Sequence, residues 1–316
     1  MGGDVSVVIT THYRNGPLRT AIESVLAQTH EPREVLVVDD SGEHHAEPVV
    51  EEYDVRYLGH EENRGQIAGW HGGAAATEGA YVQLLDDDDH LHEGKLAAQV
   101  ELLEERSAGV AYCGFEWTDG ERVVPPPEGR GDVLDRALTL EMPACTTSTL
   151  LVERSLLERV FPLPSYRGGT DVPLKIELAA RSAYEYVDRP LVYRRRSPGS
   201  QRHSDAAMRT RRRVLDEYAS LYEDAPASVQ QRAAATAYRL TATTALRGCR
   251  WSPRAVLYYA KAGLANPDTR RRDLARSLLA VLGRPGITAG GYAADAVRSL
   301  LGESRTPETT ETGNHR

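Results

Sequence analysis

Four consecutive aspartates, Asp86-Asp87-Asp88-Asp89, follow directly on the apolar run Tyr81-Val-Gln-Leu-Leu. Carboxylates held this close repel one another unless a cation or strong donors sit among them. Hard divalent ions such as Mg²⁺ or Mn²⁺ take carboxylate oxygens together with substrate phosphates, so a metal site at a strand end is expected; a solvated acidic loop is the alternative. His90 and His92 just downstream are poor evidence for zinc. A second acidic pair, Asp39-Asp40, ends the run Glu34-Val-Leu-Val-Val. It suits hydrogen bonds from a nucleobase edge or ribose hydroxyls, and equally N-capping in the Ser41-Gly42 turn. Asn63-Arg64-Gly65 opens a glycine-punctuated stretch through Gly69, Gly72 and Gly73, where Arg64 either contacts a diphosphate or lies on the surface. Asp171 follows Gly168-Gly169 and precedes a helical pattern; it suits a general base or a helix cap.

These residues need elements to gather them. Val5-Ser-Val-Val-Ile-Thr reads as a β-branched strand, and Leu18, Ala21, Ile22, Val25 and Leu26 recur at helical spacing. Glu34 to Asp40 is a second strand, Tyr53 to Leu58 a weaker third, Ile67 to Thr77 a helix, and Tyr81 to Leu85 a fourth strand. Strands alternating with helices make an open α/β sheet, and such sheets bind ligands at the carboxyl ends of their strands. Thr10-Thr11-His12, Asp39-Asp40 and the aspartate run all fall at those ends. Shorter strands and loops are expected over 109–152, then helices at Glu153–Val160 and over 172–182. From about residue 205 an Ala- and Arg-rich stretch reads as four or five helices, with breakers near Pro226, Pro253, Pro267 and Pro285-Gly286.

Composition limits the alternatives. The 316 residues suffice for about two domains, and no stretch approaches the roughly 18–20 apolar residues of a membrane span. The N-terminus lacks a basic region followed by an apolar run, so no secretory signal is expected. Cys113, Cys145 and Cys249 are too scattered for a disulfide framework or a metal knuckle, which fits a reducing cytoplasm. The net charge of −8 argues against a nucleic-acid partner, but it hides an asymmetry. Residues 205–301 carry 16 basic and 8 acidic side chains, net +8, whereas the first 204 residues carry −15. The basic part either docks on an anionic membrane face or pairs its arginines with the acidic front. Phosphate loops of the G-x-x-x-x-G-K-[ST] and G-x-G-x-x-G kinds are absent, as is a G-x-S-x-G elbow.

Taken in order, Val5-Ser-Val-Val-Ile-Thr-Thr-His-Tyr-Arg, Ala21-Ile-Glu-Ser-Val-Leu-Ala-Gln-Thr-His with Pro32 and Glu34, Val37-Val-Asp-Asp-Ser, Asn63-Arg-Gly, Glu78-Gly-Ala-Tyr-Val, Leu85-Asp-Asp-Asp-Asp and Gly169-Thr-Asp resemble the family-2 glycosyltransferases of the GT-A fold. The resemblance covers about residues 1–200. It implies a Rossmann-like nucleotide-binding domain over 1–204; the Ala- and Arg-rich stretch then reads as a helical domain over 205–301, and the Thr-, Glu- and Pro-rich residues 302–316 as a disordered tail. It implies a nucleotide-diphosphate-sugar donor, with Thr10, His12 and Asp40 at the nucleobase and Arg64 toward the diphosphate. Asp86 or Asp87 would approach the ribose, and Asp88, with Asp86, would hold Mn²⁺ or Mg²⁺. His203 would lie near the metal or diphosphate. Asp171 matches the family's catalytic base, with Thr170 in place of the usual preceding glutamate. Two departures stand out: Gly69-Trp70-His71 replaces the family's Ala-Arg-Asn, and Tyr13 stands where asparagine is common.

The function so implied is inverting transfer of a sugar to a hydroxyl or phosphate acceptor, on a glycan or a polyprenyl-phosphate-linked saccharide. The Gln-x-x-Arg-Trp signature of processive synthases is absent, so a single transfer is expected. A sugar nucleotidyltransferase is the competing enzyme class, although Thr11-His-Tyr-Arg-Asn-Gly is a poor match to its loop. An inactive nucleotide-sugar-binding paralogue is the non-enzyme reading.

Overall fold

A computed structural model describes residues 3–196, 204–247 and 249–300. The chain divides into two compact units, one of residues 1–137 with 142–200, the other of Leu138–Glu141 with the chain from Gln201 on. Residues 138–141 thus join the second unit although they precede most of it in sequence.

The first unit is built on nine strands: β1 (Val5–Thr11), β2 (Glu34–Asp39), β3 (Arg56–Gly59), β4 (Tyr81–Asp86), β5 (Asp89–Leu91), β6 (Val110–Trp117), β7 (Arg122–Val123), β8 (Leu151–Glu153) and β9 (Tyr184–Arg194). They form one sheet in the order β3-β2-β1-β4-β8-β6-β9-β5, with β7 on β6. The first four are parallel; beyond them β8 is antiparallel to both β4 and β6, and β5 to β9. All seven residues of β1 are buried, as expected of a parallel strand covered on both faces. The sheet is therefore the GT-A type of half-parallel, half-mixed architecture that the resemblance implies.

Seven helices belong to this part of the chain: α1 (Asn15–Leu26), α2 (Glu47–Val50), α3 (Gln66–Ala75), α4 (Lys95–Glu105), α5 (Leu134–Leu138), α6 (Arg154–Val160) and α7 (Asp171–Ala179). α1 buries Leu18, Ala21, Ile22 and Val25, the stripe seen in the sequence. α3 lies unusually close to the sheet. A methyl group on Gly73 would come within 2.3 Å of Val8, and one on Gly69 within 3.0 Å of Thr10. Part of the glycine pattern is therefore explained by helix–sheet packing. The third strand starts at Arg56, three residues later than expected, and α7 ends at Ala179.

In the second unit the described helices are α8 (Asp205–Glu217), α9 (Ala219–Asp224), α10 (Ala227–Arg247), α11 (Pro253–Ala265), α12 (Arg270–Ala280) and α13 (Gly283–Leu300). Six helices stand where four or five were expected, because the chain also breaks at Tyr218, without a proline. Pro253 opens α11, where its missing N–H costs nothing. Pro285 also lies inside a first turn; the preceding break is at Gly283, whose φ is +71°. Ala242, Leu246, Ala255, Tyr259 and Ala280 form a core of α10, α11 and α12. Among the described residues no helix is long and apolar enough to cross a membrane. The segment 302–316 lies outside the described residues.

Candidate active site

Strand order reverses at β1, which has β2 on one side and β4 on the other. Such a switch point opens a crevice at the carboxyl ends of the strands. At that end Thr10 lies beside Asp86 of β4 and Thr11 beside Asp39 of β2. The polar residues singled out in the sequence therefore converge on one edge of the sheet.

The four aspartates do not act as one group. Asp86, Asp88 and Asp89 offer carboxylate oxygens within 4.8 Å of one another, a donor set of the kind that holds a hard divalent cation. Asp89 is buried, takes the Ser148 hydroxyl at 2.7 Å, and is paired with Arg194 Nε at 3.0 Å. Arg194 comes from the end of β9 because β5 pairs there, Asp89 opposite Arg194. Ser148 also accepts from the Asp86 amide at 3.3 Å. Burial and the charges of Asp89 and Asp88 push the Asp86 carboxyl well up, against the pull of Arg194. Burial likewise raises Asp89, with Arg194 opposing. A cation bound among them would reverse that balance.

Asp87 points elsewhere. It accepts from Thr11 Oγ1 at 2.7 Å and from Arg14 Nη1 at 3.2 Å, and burial pushes it up to about 6. The same Arg14 nitrogen reaches Asp88 at 2.6 Å. The expected ribose contact through Asp87 thus meets a carboxylate already committed to β1 and the start of α1. His90 stacks on Tyr193 with ring centres 4.9 Å apart, and His92 Nδ1 accepts the Gly94 amide. Neither belongs to the metal-ligating group found among the described residues. His203 lies outside them.

A connection absent from the sequence reading links this cluster to Asp171. Gln66, the first residue of α3, donates to Asp86 Oδ1 at 2.7 Å and accepts from Thr170 Oγ1 at 2.6 Å. Thr170 therefore does more than replace a glutamate: it joins the Asp171 turn to the aspartate cluster. Gly168 and Gly169, with φ of +93° and +66°, shape that turn, a region that favours glycine. Asp171 is the first residue of α7, and the cap position is held by Thr170, whose side chain makes no capping bond. Asp171 Oδ2 instead accepts from Lys175 Nζ at 2.9 Å, and Lys175 also donates to the Cys145 carbonyl. Asp171 thus stands one residue inside α7, with Thr170 at the cap position.

Asp39 and Asp40 divide the two roles left open above. Asp39 accepts the Ser41 and Ala46 amides and the Tyr57 hydroxyl, so it organises the turn after β2. Asp40 Oδ1 takes His60 Nδ1 and the Arg64 amide, each at 2.8 Å, and Oδ2 takes the Gly65 amide at 2.7 Å. Its carboxylate secures the 60–65 loop, leaving one acceptor position on Oδ2. The Arg64 guanidinium itself is exposed. His12 is exposed, edge-on to Tyr13 at 4.7 Å, and Tyr13, at a φ of +58°, donates to the Ser41 carbonyl.

Behind the cluster lies a buried polar network. Lys95, fully buried, donates to Gln83 and Gln99, and burial pushes it down to about 8. Gln83 donates to the Ser148 carbonyl at 3.1 Å, which fixes the turn presenting the Ser148 hydroxyl. Ser148, Arg194, Arg14 and Gln66 are the site residues that sequence reasoning missed.

The sequence profile of glycosyl transferase family 2 matches residues 6–161, from β1 through the aspartate cluster to the end of α6. Over these residues the chain belongs to glycosyl transferase family 2. It is 27% identical over 212 residues to an uncharacterized glycosyltransferase of Rickettsia felis, covering 64% of this chain and 34% of that protein. It is 30% identical over 172 residues to one of Nostoc sp., covering 50% and 53% respectively. The chain thus spans about a third of the length of its first Rickettsia relative. Among solved structures, S. aureus TarS in complex with UDP-GlcNAc superposes with a TM-score of 0.62 at 16% identity, over 98% of this chain and 95% of that one. The mannosyltransferase PcManGT of Pyrobaculum calidifontis, with GDP-Man and Mn²⁺, gives 0.55 at 21%, over 96% and 89%. The chain shares its fold with both.

Proposed function

We propose that this family member is an inverting glycosyltransferase that makes a single transfer from a nucleotide-diphosphate sugar. The acceptor would be a hydroxyl or phosphate on a glycan or lipid-linked saccharide. One observation carries the reading: Asp86, Asp88 and Asp89 converge at the β1/β4 switch point and are tied through Gln66 and Thr170 to the turn bearing Asp171. The structural neighbours bound to UDP-GlcNAc and to GDP-Man with Mn²⁺ support a donor of this class. Three unpaired cysteines, one of them exposed, favour a reducing compartment.

Thr10, His12 and the loop fastened by Asp40 would form the nucleobase end, and the free guanidinium of Arg64 would face the diphosphate. Asp88, Asp86 and Asp89 would hold Mn²⁺ or Mg²⁺; their oxygens lie close together, and the burial that raises Asp86 and Asp89 fits a cation among them. When bound, that ion neutralises the charge gained by the departing nucleoside diphosphate. Arg14 and Arg194 orient the carboxylates. Asp171, oriented by Lys175, takes the proton of the acceptor hydroxyl as that oxygen attacks the anomeric carbon. The bond from that carbon to the diphosphate breaks in the same step, which inverts the centre.

A panel of UDP-, GDP- and dTDP-sugars, with nucleotide release followed with and without Mn²⁺, tests the reading. Metal-dependent release of a nucleoside diphosphate is expected. Pyrophosphate from a sugar phosphate and a nucleoside triphosphate would favour a nucleotidyltransferase, and donor binding without turnover an inactive paralogue.

A further inference from the structure

Six of the nine exposed large apolar side chains among the described residues lie between Trp251 and Leu282. Four of them cluster where α12 hands over to α13. Leu278, Val281 and Leu282 are 74%, 55% and 70% exposed, and Trp251 is 53% exposed. The Trp251 indole N–H is tied to the Val281 carbonyl at 2.9 Å, which fixes the ring beside these side chains. Its polar edge is already satisfied, so the ring offers its apolar surface outward.

The ridge borders a strongly basic recess. The Arg284 amide donates to the Arg250 carbonyl at 2.8 Å, locking the start of α13 onto the segment before Trp251. Arg247, Arg250 and Arg284, all exposed, line a recess of about 640 Å³ with Pro285 and Thr288. Residues 205–301 as a whole carry a net charge of +8.

We propose that this face docks on an anionic lipid surface, with Leu278, Val281, Leu282 and Trp251 entering the headgroup boundary and Arg247, Arg250 and Arg284 meeting lipid phosphates. Apolar side chains rimmed by arginine are the composition that lies in a bilayer interface, and tryptophan is enriched at that depth. A second copy of the chain is disfavoured as the occupant, because a twofold contact through the ridge would bring the arginine rims together. The inference does not depend on the donor chemistry proposed above.

Co-sedimentation of the full chain with vesicles decides it, comparing phosphatidylglycerol mixed into phosphatidylcholine with phosphatidylcholine alone at about 0.1 M salt. The wild type should pellet with the anionic vesicles and stay in solution with the neutral ones. Leu278→Ser with Leu282→Ser should weaken binding at least about tenfold. Arg250→Glu with Arg284→Glu should weaken it more than about twentyfold, at roughly fivefold for each basic residue lost. Both pairs are exposed, so thermal unfolding should match the wild type and report an intact fold. The proposal fails if the wild type ignores anionic vesicles, binds neutral ones equally, or loses less than about twofold in either variant. It also fails if light scattering shows a wild-type dimer that the Leu278/Leu282 variant converts to monomer, which would make the ridge a contact between copies.

Discussion

Replacing Arg194 by methionine removes the one cation that is paired, among the described residues, with buried Asp89, while keeping an apolar stem beside Phe115 and Trp117. Arg194 Nε sits 3.0 Å from Asp89 Oδ2, and the guanidinium lies 5.1 Å and 5.3 Å from the two ring centres. Removing one partner of a buried pair costs about 3–5 kcal/mol when the other stays charged. Asp89 can instead take up a proton, which from an ordinary carboxylate costs about 4 kcal/mol at pH 7 and about 1.5 kcal/mol at pH 5. The cheaper route sets the loss. It should be roughly 3–4 kcal/mol at neutral pH and about half that or less at pH 5. The sign follows from the neutral carboxyl being preferred in the variant's folded state, so stability falls as pH rises. For a unit of this size, about 2–4 °C per kcal/mol translates to a Tm lower by roughly 6–16 °C at neutral pH. Calorimetry of the metal-free chain at both pH values reads it out. A Tm within about 2 °C of the wild type at neutral pH, or an equal loss at both, would refute the pairing as the support of Asp89.

Asp171→Asn should lose at least about a hundredfold in turnover; the Lys175 contact costs little stability, about 1 kcal/mol or less by thermal unfolding. Near wild-type transfer would place the base elsewhere. Gly73→Ala should destabilise by about 1–3 kcal/mol in urea titration, because the new methyl meets Val8 at 2.3 Å. Gly72→Ala, whose nearest neighbour would be 3.8 Å away, should stabilise by about 0.5–1 kcal/mol. Equal effects of the two would contradict the close approach of α3. Mn²⁺ should raise the Tm more at neutral pH than at pH 5, because burial lifts Asp86 and Asp89 and their protons compete with the ion; a shift independent of pH speaks against these ligands.

The parallel half of the sheet was legible because β1, β2 and β4 are continuous apolar runs ending in polar residues, a pattern needing no distant partner to be seen. β5 was not. It is three residues long, Asp89-His90-Leu91, and is a strand only because β9 comes back from more than a hundred residues away to pair with it. That pairing delivers Arg194 to Asp89, so the missed strand and the missed cation share one cause. Ser148 and Gln66 escaped for the same reason: their contacts with the cluster span 59 and 20 residues and follow from tertiary packing. The aspartate run marked the site but could not assign its members. Only the fold turns Asp87 toward Thr11 and Arg14 and gathers Asp89 with Asp86 and Asp88. Asp40 was recognised as a polar strand end, whereas its three bonds to the 60–65 loop emerge from the crossover after β3. In the second unit prolines marked most helix starts, and the break at Tyr218 carried no such signal.

The measurement that bears most directly on the metal-assisted donor site is the electron paramagnetic resonance signal of free Mn²⁺, titrated with the protein in the presence of UDP and, separately, GDP. The wild type should deplete the free signal at one site per chain, more strongly with the nucleotide it prefers. Asp88→Ala should leave the signal of unbound ion while retaining the wild-type melting curve. Undiminished Mn²⁺ binding in Asp88→Ala, or none in the wild type with either nucleotide, would contradict the assignment of Asp86, Asp88 and Asp89 as the metal-holding group.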